Sequence, residues 1–130
     1  MPSMKVLIFV DGEKQEAVLD YEVDSPSIKL LLQSGKTFNV SGLDVYECLG
    51  KLLVLLPEVN FLCKGAKLNV RPSSMSSQMT SGMMAYEHLL GVRATRKSLV
   101  NIFDYDDVNI VNDPKLQDDF FFKWLRSLEA

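Results

Sequence analysis

The chain has 130 residues, 47% of them hydrophobic, which is long enough to bury a core without disulfides or metal ions and suits one globular domain over residues 1–130. Its 17 acidic and 14 basic residues give a formal net charge of −3, which argues against nonspecific nucleic-acid binding. The apolar run near the start is too short for a signal peptide, and no stretch reaches the roughly 18 apolar residues that a membrane span needs, so we expect a cytoplasmic protein.

Four short antiparallel strands are predicted in the N-terminal part of the chain. Residues 5–10 are apolar and β-branched enough for a strand buried on both faces, and Asp11-Gly12 is typical of the turn that follows. Apolar and polar residues alternate over 17–23, which indicates a half-buried partner strand. Residues 28–32 and 37–40 predict a second hairpin around a Ser-Gly turn.

A buried helix is predicted between Ser41 and Pro57. Ser41 is placed to cap its N-terminus, Asp44 falls at the positive end of the helix dipole, and Pro57 ends it. Residues 52–56 are apolar nearly all round the helix, so we expect it to lie against the sheet and beneath another element. The face predicted to be buried consists of Tyr46, Leu49, Leu53 and Leu56.

A third hairpin is predicted from 59–63 and 67–70, and it leads into a second helix. Ser73 or Ser74 is placed to cap this helix and Gly91 to end it. Apolar side chains that recur every three or four residues define one face: Met75, Met79, Met83, Tyr86 and Leu90. We interpret this face as core; the alternative for residues 73–90, an adaptable surface that repacks around a partner, stays open.

The C-terminal part is less uniform. Residues 96–103 allow either a short helix capped by Thr95 or a strand, because the apolar run is too short to decide, and 108–111 predict a last strand. Asp113-Pro114 is typical of a helix start, and an amphipathic stripe follows it: Phe120, Phe121, Trp124, Leu125 and Leu128. The whole pattern predicts an α+β fold, in which an antiparallel sheet of short hairpin-connected strands packs against two or three helices, the last of them the C-terminal amphipathic helix.

Recognisable catalytic motifs are absent from the sequence. His88 is the only histidine, and we expect it to be partly exposed near the end of the second helix. Cys48 and Cys63 do not form a C-x-x-C pair, so we expect both to be buried, reduced thiols. We therefore predict no catalytic residue, no metal ligand and no cofactor. A small hydrolase-like enzyme that uses His88 with Cys63 or with a serine of 73–81 remains an alternative.

Acidic residues concentrate near the C-terminus, where seven carboxylates stand against three basic side chains from Val100 onward. Such a region steers basic partners. Arg93, Arg96 and Lys97 are expected to pair with part of it, and the alternative is that they bind an anion. Asp104, Asp106 and Asp107 do not fit a calcium loop, because the required Gly and Glu are missing. The partner-binding set predicted from this charge, with Tyr105 or Trp124 as anchor, is Asp104, Tyr105, Asp106, Asp107, Asp118, Asp119 and Trp124.

The run from Arg71 to Tyr86, Arg-Pro-Ser-Ser-Met-Ser-Ser-Gln-Met-Thr-Ser-Gly-Met-Met-Ala-Tyr, followed by Val100-Asn-Ile-Phe-Asp, resembles uncharacterised bacterial proteins that accompany polymorphic toxins. Small acidic α+β proteins of that class act as immunity proteins. The resemblance implies a non-enzymatic inhibitor that occludes the active site of a basic toxin domain. From charge and hydropathy we expect no nucleic-acid and no membrane partner. The chain is expected to be a monomer or a homodimer, and a monomer would favour the inhibitor. A secretion or assembly chaperone with an exposed apolar groove is the alternative.

Overall fold

A computed structural model describes residues 2–129. Over these residues the fold is α+β, with one five-stranded and one three-stranded antiparallel sheet and three helices. The elements are β1 (Ser3–Val10), β2 (Glu13–Glu22), β3 (Ser27–Leu31), β4 (Thr37–Ser41), α1 (Val45–Leu55), β5 (Asn60–Phe61), β6 (Val70–Arg71), α2 (Ser74–Thr80), β7 (Met84–Glu87), β8 (Leu99–Asn101) and α3 (Pro114–Ser127). The sheet orders are β4-β3-β2-β1-β5 and β6-β7-β8. The predicted fold class is confirmed.

The first four strands form the two predicted hairpins. Asp11 and Gly12 both adopt positive φ angles, 53° and 77°, which match the right-handed twist of the strands they join. Val6 and Ile8 of β1 point into the core, whereas Phe9 is exposed on the opposite face of the sheet. The prediction that β1 is buried on both faces is therefore wrong, because Lys5 and Phe9, on the face opposite Val6 and Ile8, are both exposed.

Helix α1 lies at the centre of the core, as predicted, but two details differ. Asp44, not Ser41, caps the helix, because its carboxylate accepts a hydrogen bond from the Glu47 N–H at 2.7 Å. Val54 and Leu55 are exposed, so the expected burial all round the helix is wrong. The residues of α1 that are buried are Val45, Cys48, Leu49, Leu52 and Leu53.

The predicted third hairpin does not form. Strand β5 pairs with β1, and β6 pairs with β7, so the two segments belong to different sheets. Between them, residues 64–66 form a short 3₁₀ turn in which a Cβ on Gly65 would come within 2.6 Å of Leu49 Cδ2. This close approach to α1 carries the chain from one sheet to the other instead of back along β5.

The predicted second helix is wrong beyond Thr80. Ser73 caps α2 as expected, but the helix has only seven residues and ends where Ser81 and Gly82 adopt positive φ angles of 54° and 76°. The chain then enters β7, because pairing with β6 and β8 outweighs the weak helix propensity of this Ser-rich segment. Met75 and Met79 are 69% and 77% exposed, so the core interpretation fails for both.

Residues 96–103 combine the two alternatives. Thr95 caps a 3₁₀ turn over 96–98, and β8 follows directly. The strand predicted at 108–111 is wrong, because Ile110 makes only an isolated bridge to Lys67. Helix α3 begins after its cap Asp113 as predicted.

One hydrophobic core joins both sheets and α1. It includes Leu19 and Phe61 from the larger sheet and Leu52 from α1. From the smaller sheet it includes Ala85 of β7, together with Ile102, which directly follows β8. Among the residues that the structure describes, no helix is both long and apolar enough to cross a membrane.

Candidate protein-binding surface

The acidic loop, residues 104–107, directly follows Phe103 and is anchored by Asp106. The Asp106 carboxylate accepts hydrogen bonds from Lys64 Nζ at 3.1 Å and Lys67 Nζ at 2.7 Å, and Val108 N–H donates to it at 2.9 Å. Glu87 completes the group, with a carboxylate oxygen 2.7 Å from Lys67 Nζ. These side chains form an ion-pair network of two cations and two anions, and Lys67 is only 7% exposed within it.

The pKa shifts follow from this network. Burial alone would raise the pKa of Asp106, but hydrogen bonds from Lys67, the Val108 N–H and Lys64 outweigh it and hold the pKa well below its ordinary value. For Lys67, burial lowers the pKa, and hydrogen bonds to Asp106 and Glu87 reverse that effect and raise it. Both shifts favour the charged forms of Asp106 and Lys67, and the network matches two basic side chains with two acidic ones.

Tyr105, next to the anchor, faces outward and is 47% exposed. Its hydroxyl accepts a hydrogen bond from Lys14 Nζ at 2.9 Å and donates one to Asp107 at 3.2 Å. Lys14 lies on β2, so these contacts tie the loop to the first hairpin. The hydrogen bond to Tyr105 is the main cause that raises the pKa of Lys14. Asp104, Asp107 and Val108 are exposed beside the ring.

A shallow depression of about 470 Å³ adjoins this loop. Its lining comes from β1, β2, the start of β5 and the acidic loop: Phe9, Lys14, Asn60, Leu62, Asp107, Asn109 and Ile110. We call the exposed side chains of Asp104, Tyr105, Asp107 and Val108, together with this depression, the Tyr105 surface. It offers an aromatic ring, apolar side chains and carboxylates in one place.

The other members of the predicted contact set lie elsewhere. Asp118 and Asp119 are exposed on α3, and Asp118 pairs with Arg71 at 2.9 Å. Trp124 is buried, donates its indole N–H to the Val92 carbonyl at 2.9 Å, and packs on the His88 ring. Trp124 and Asp106 therefore have their partners within the fold, whereas Tyr105 is the exposed aromatic side chain of the predicted set.

His88 is not the partly exposed helix-end residue that the sequence predicts. It directly follows β7, is 5% exposed, and has the rings of Tyr86, Phe121 and Trp124 around it. Burial, and then the charge of Arg71, lower its pKa. No hydrogen bond among residues 2–129 involves the imidazole, so these contacts give no support to an enzyme that pairs His88 with a thiol or a serine.

The two cysteines are buried and free, as predicted. Burial raises the pKa of Cys48 to about 11 and that of Cys63 to about 12, which keeps both thiols protonated at neutral pH. Residues 2–129 contain no group of three or more side chains of the metal-binding type.

Two further predictions concern the basic side chains of Arg93, Arg96 and Lys97 and the exposed groove expected of a chaperone. Arg93, Arg96 and Lys97 form no ion pair in the described part of the chain, so the expected pairing with the acidic tail is wrong. Within that tail, Asp106 pairs with Lys64 and Lys67, and Asp118 pairs with Arg71. A groove of about 740 Å³ lies beside α1 and α2, and its lining is mostly polar: Asp44, Glu47, Lys51, Arg71, Ser73, Ser74, Ser77, Gln78 and Asp118, with Tyr46, Gly50, Val54, Pro72 and Pro114 among them.

No protein-family model and no curated protein matches this chain. The site is therefore defined by its own geometry. Sequence reasoning missed Lys64, Lys67 and Glu87, which anchor the acidic loop. The signal was present: two lysines lie within the largely apolar stretch 59–70, and a lysine that is buried requires a carboxylate partner.

Proposed function

We propose that this chain is a non-enzymatic protein-binding module and, more specifically, a small bacterial immunity-type inhibitor that occludes the active site of a basic toxin domain. The observation that carries the proposal is the Tyr105 surface, where a half-exposed aromatic ring stands between carboxylates on a loop fixed from within. Two free buried thiols fit action in a reducing cytoplasm.

The anchored loop favours binding because it is already ordered before a partner binds, so it loses little conformational entropy in the complex. Asp106 is held by two lysines, and the Tyr105 hydroxyl is held by Lys14 and Asp107. A tyrosine has few rotatable bonds and is among the residues that most often dominate interface energies. A preformed tyrosine anchor therefore loses less conformational entropy on binding than a mobile one.

The charges of the surface favour a basic partner. The ion-pair network beneath the loop is neutral, so Asp104 and Asp107 supply two exposed negative charges, and Lys14 offsets one of them. Exposed carboxylates of this kind raise the rate at which a positively charged protein associates, and the effect weakens as salt concentration rises. A toxin active site that handles phosphate or nucleic acid is a surface of matching sign.

The test is affinity capture from the cells that produce the protein, with the unaltered chain and the Tyr105→Ala, Asp107→Lys double variant as paired baits. We expect a basic protein to be retained by the unaltered bait only. When expressed alone it should be toxic, and coexpression of the unaltered chain, but not of the variant, should restore growth. Equal retention by both baits, or a partner that is harmless, would contradict the proposal.

A secretion or assembly chaperone is the second candidate, and the groove beside α1 and α2 favours it. Its volume of about 740 Å³ can hold a short segment, to which Tyr46, Pro72 and Pro114 offer apolar contacts within a mostly polar lining. Light scattering separates the candidates, since we expect a monomer for the inhibitor and a dimer for the chaperone. Val54→Arg, which places a charge at the groove, should abolish client binding and leave binding through Tyr105 intact.

A further inference from the structure

The three-stranded sheet has two different faces. Val70, Ala85 and Val100 point into the hydrophobic core, and in the pairing register Arg71, Tyr86 and Leu99 form a row on the opposite face. Helix α3 covers part of that outer face, where Phe121 lies against Arg71 and His88. Met84, Tyr86 and Leu99 belong to no core cluster and remain partly exposed. The outer face therefore carries apolar side chains, beside Arg71 and Asn101, that the fold covers incompletely.

The connection from β7 to β8 extends this surface. It begins with Leu89, Leu90 and Val92, all exposed, and Leu89 is 61% exposed. The turn they form is held in place, since the Gly91 N–H donates to Ser127 Oγ at 2.8 Å and the Val92 carbonyl accepts from the Trp124 indole. Exposed leucine and valine on a fixed turn are a recurrent sign of a protein contact.

The same connection carries three cations and no carboxylate. Arg93 follows Val92 directly, and Arg96 and Lys97 stand in the 3₁₀ turn that leads into Leu99. None of the three has a carboxylate oxygen within 4.0 Å among residues 2–129. Because no carboxylate of the described residues pairs with these three side chains, their charge is available to a partner.

We infer that the outer face of the three-stranded sheet and the 88–98 connection form a second interaction surface, which binds an acidic, leucine-rich segment of another protein. Apolar side chains of that segment cover Tyr86, Leu99 and Leu89, and its carboxylates pair with Arg93, Arg96 and Lys97. The sign of the charge makes this surface distinct from the acidic Tyr105 surface, so one molecule holds two partners of opposite charge, or two parts of one partner.

A protein segment fits better than an anionic membrane. Membrane attraction by basic residues grows by about 1 kcal/mol per Lys or Arg and is associated with clusters of roughly four to eight. Here the cluster has three cations, on a chain of net charge −3. Three pairable cations beside fixed apolar side chains instead match the mixed core and rim of a protein interface.

The experiment uses a fluorescein-labelled ten-residue peptide that alternates glutamate and leucine, with a lysine-leucine peptide and a glutamate-serine peptide as matched controls. Fluorescence anisotropy should show binding of the glutamate-leucine peptide only, and binding should weaken with salt. Amide chemical shifts of the ¹⁵N-labelled chain should move at residues 89–99 and stay unchanged at Tyr105.

Variants then assign the contacts. Arg96→Glu with Lys97→Glu should weaken peptide binding by about tenfold, and Leu89→Ser should weaken it through the lost apolar contact. The matched control is Lys29→Glu with Lys36→Glu, which makes the same charge change at exposed positions on β3 and in the turn after it and should leave affinity unchanged. Equal weakening by both reversals, no binding of the glutamate-leucine peptide, or binding to phosphatidylserine vesicles in its place would each overturn the inference.

Discussion

Removal of the Asp106 charge is the perturbation that most directly probes how the acidic loop is held. Asp106→Asn keeps the size of the side chain but takes away the anion that lies 2.7 Å from Lys67 Nζ and 3.1 Å from Lys64 Nζ. Loss of one member of a buried ion pair typically costs about 3–5 kcal/mol, since the other charge is left buried without its partner. Lys67, at 7% exposure, is such a charge.

The expected cost is below that range because Glu87 remains. Its carboxylate lies 2.7 Å from Lys67 Nζ and 3.8 Å from Lys64 Nζ, so both lysines keep one anion. We therefore expect the free energy of unfolding to fall by about 2–3 kcal/mol, which corresponds to a decrease of about 10 °C in Tm for a chain of this length. Urea denaturation followed by circular dichroism measures the first quantity and thermal denaturation the second.

Two control variants make the result decisive. Asp104→Asn removes a neighbouring but exposed carboxylate and should change stability by less than about 0.5 kcal/mol. Lys67→Met combined with Asp106→Asn removes one charge of each sign, so the double variant should be more stable than Asp106→Asn alone by about 1 kcal/mol. If Asp106→Asn costs no more than Asp104→Asn, the loop is not anchored by the network and the reasoning is refuted.

Three further predictions test other parts of the structure. Because the folded-state pKa of His88 lies below its ordinary value of 6.5, the unfolded chain takes up the proton first as pH falls, and stability should decline from about pH 6.5 downward. In urea titrations between pH 7 and 5, His88→Phe should flatten this decline. An equal slope for both proteins would count against burial of the ring. Met75→Ser with Met79→Ser should change the free energy of unfolding by less than about 0.5 kcal/mol per site, because both are exposed, and a loss of about 2–5 kcal/mol would reinstate them as core. Gly82→Ala should destabilise by more than about 1 kcal/mol, since the backbone has φ +76° and the new Cβ would lie 2.8 Å from the Asp44 carboxylate; an unchanged Tm would contradict that geometry.

The parts of the fold that follow from the sequence are those set by local signals. Alternation in β2, the Asp11-Gly12 turn and the Asp113-Pro114 cap each depend on a few adjacent residues, and the structure has them as predicted. The segment from Ser81 to Leu90 shows the opposite case. Its apolar residues fit a helical repeat, but two left-handed residues end the helix and strand partners on both sides make residues Met84–Glu87 a strand. Sequence periodicity contains no information about those partners.

Only part of the candidate site could be predicted from the sequence. Charge and turn composition pointed to Asp104, Tyr105 and Asp107, which are exposed. The inward direction of Asp106 depends on Lys64 and Lys67, which are about 40 residues earlier in the chain, and proximity across such a separation is not visible in a single sequence. Trp124 illustrates a further limit, since a helical stripe does not reveal whether its largest member faces the core or a partner.

The central claim is that this protein acts by binding another protein through the Tyr105 surface. The most direct test is the Kd of the captured partner for the unaltered chain and for Tyr105→Ala, measured at low and at physiological salt. We predict that the substitution raises Kd by about 30-fold or more, as expected for an aromatic anchor worth at least 2 kcal/mol, and that binding of the unaltered chain weakens as salt increases. A Kd that is the same for both proteins, or that does not respond to salt, would contradict the account.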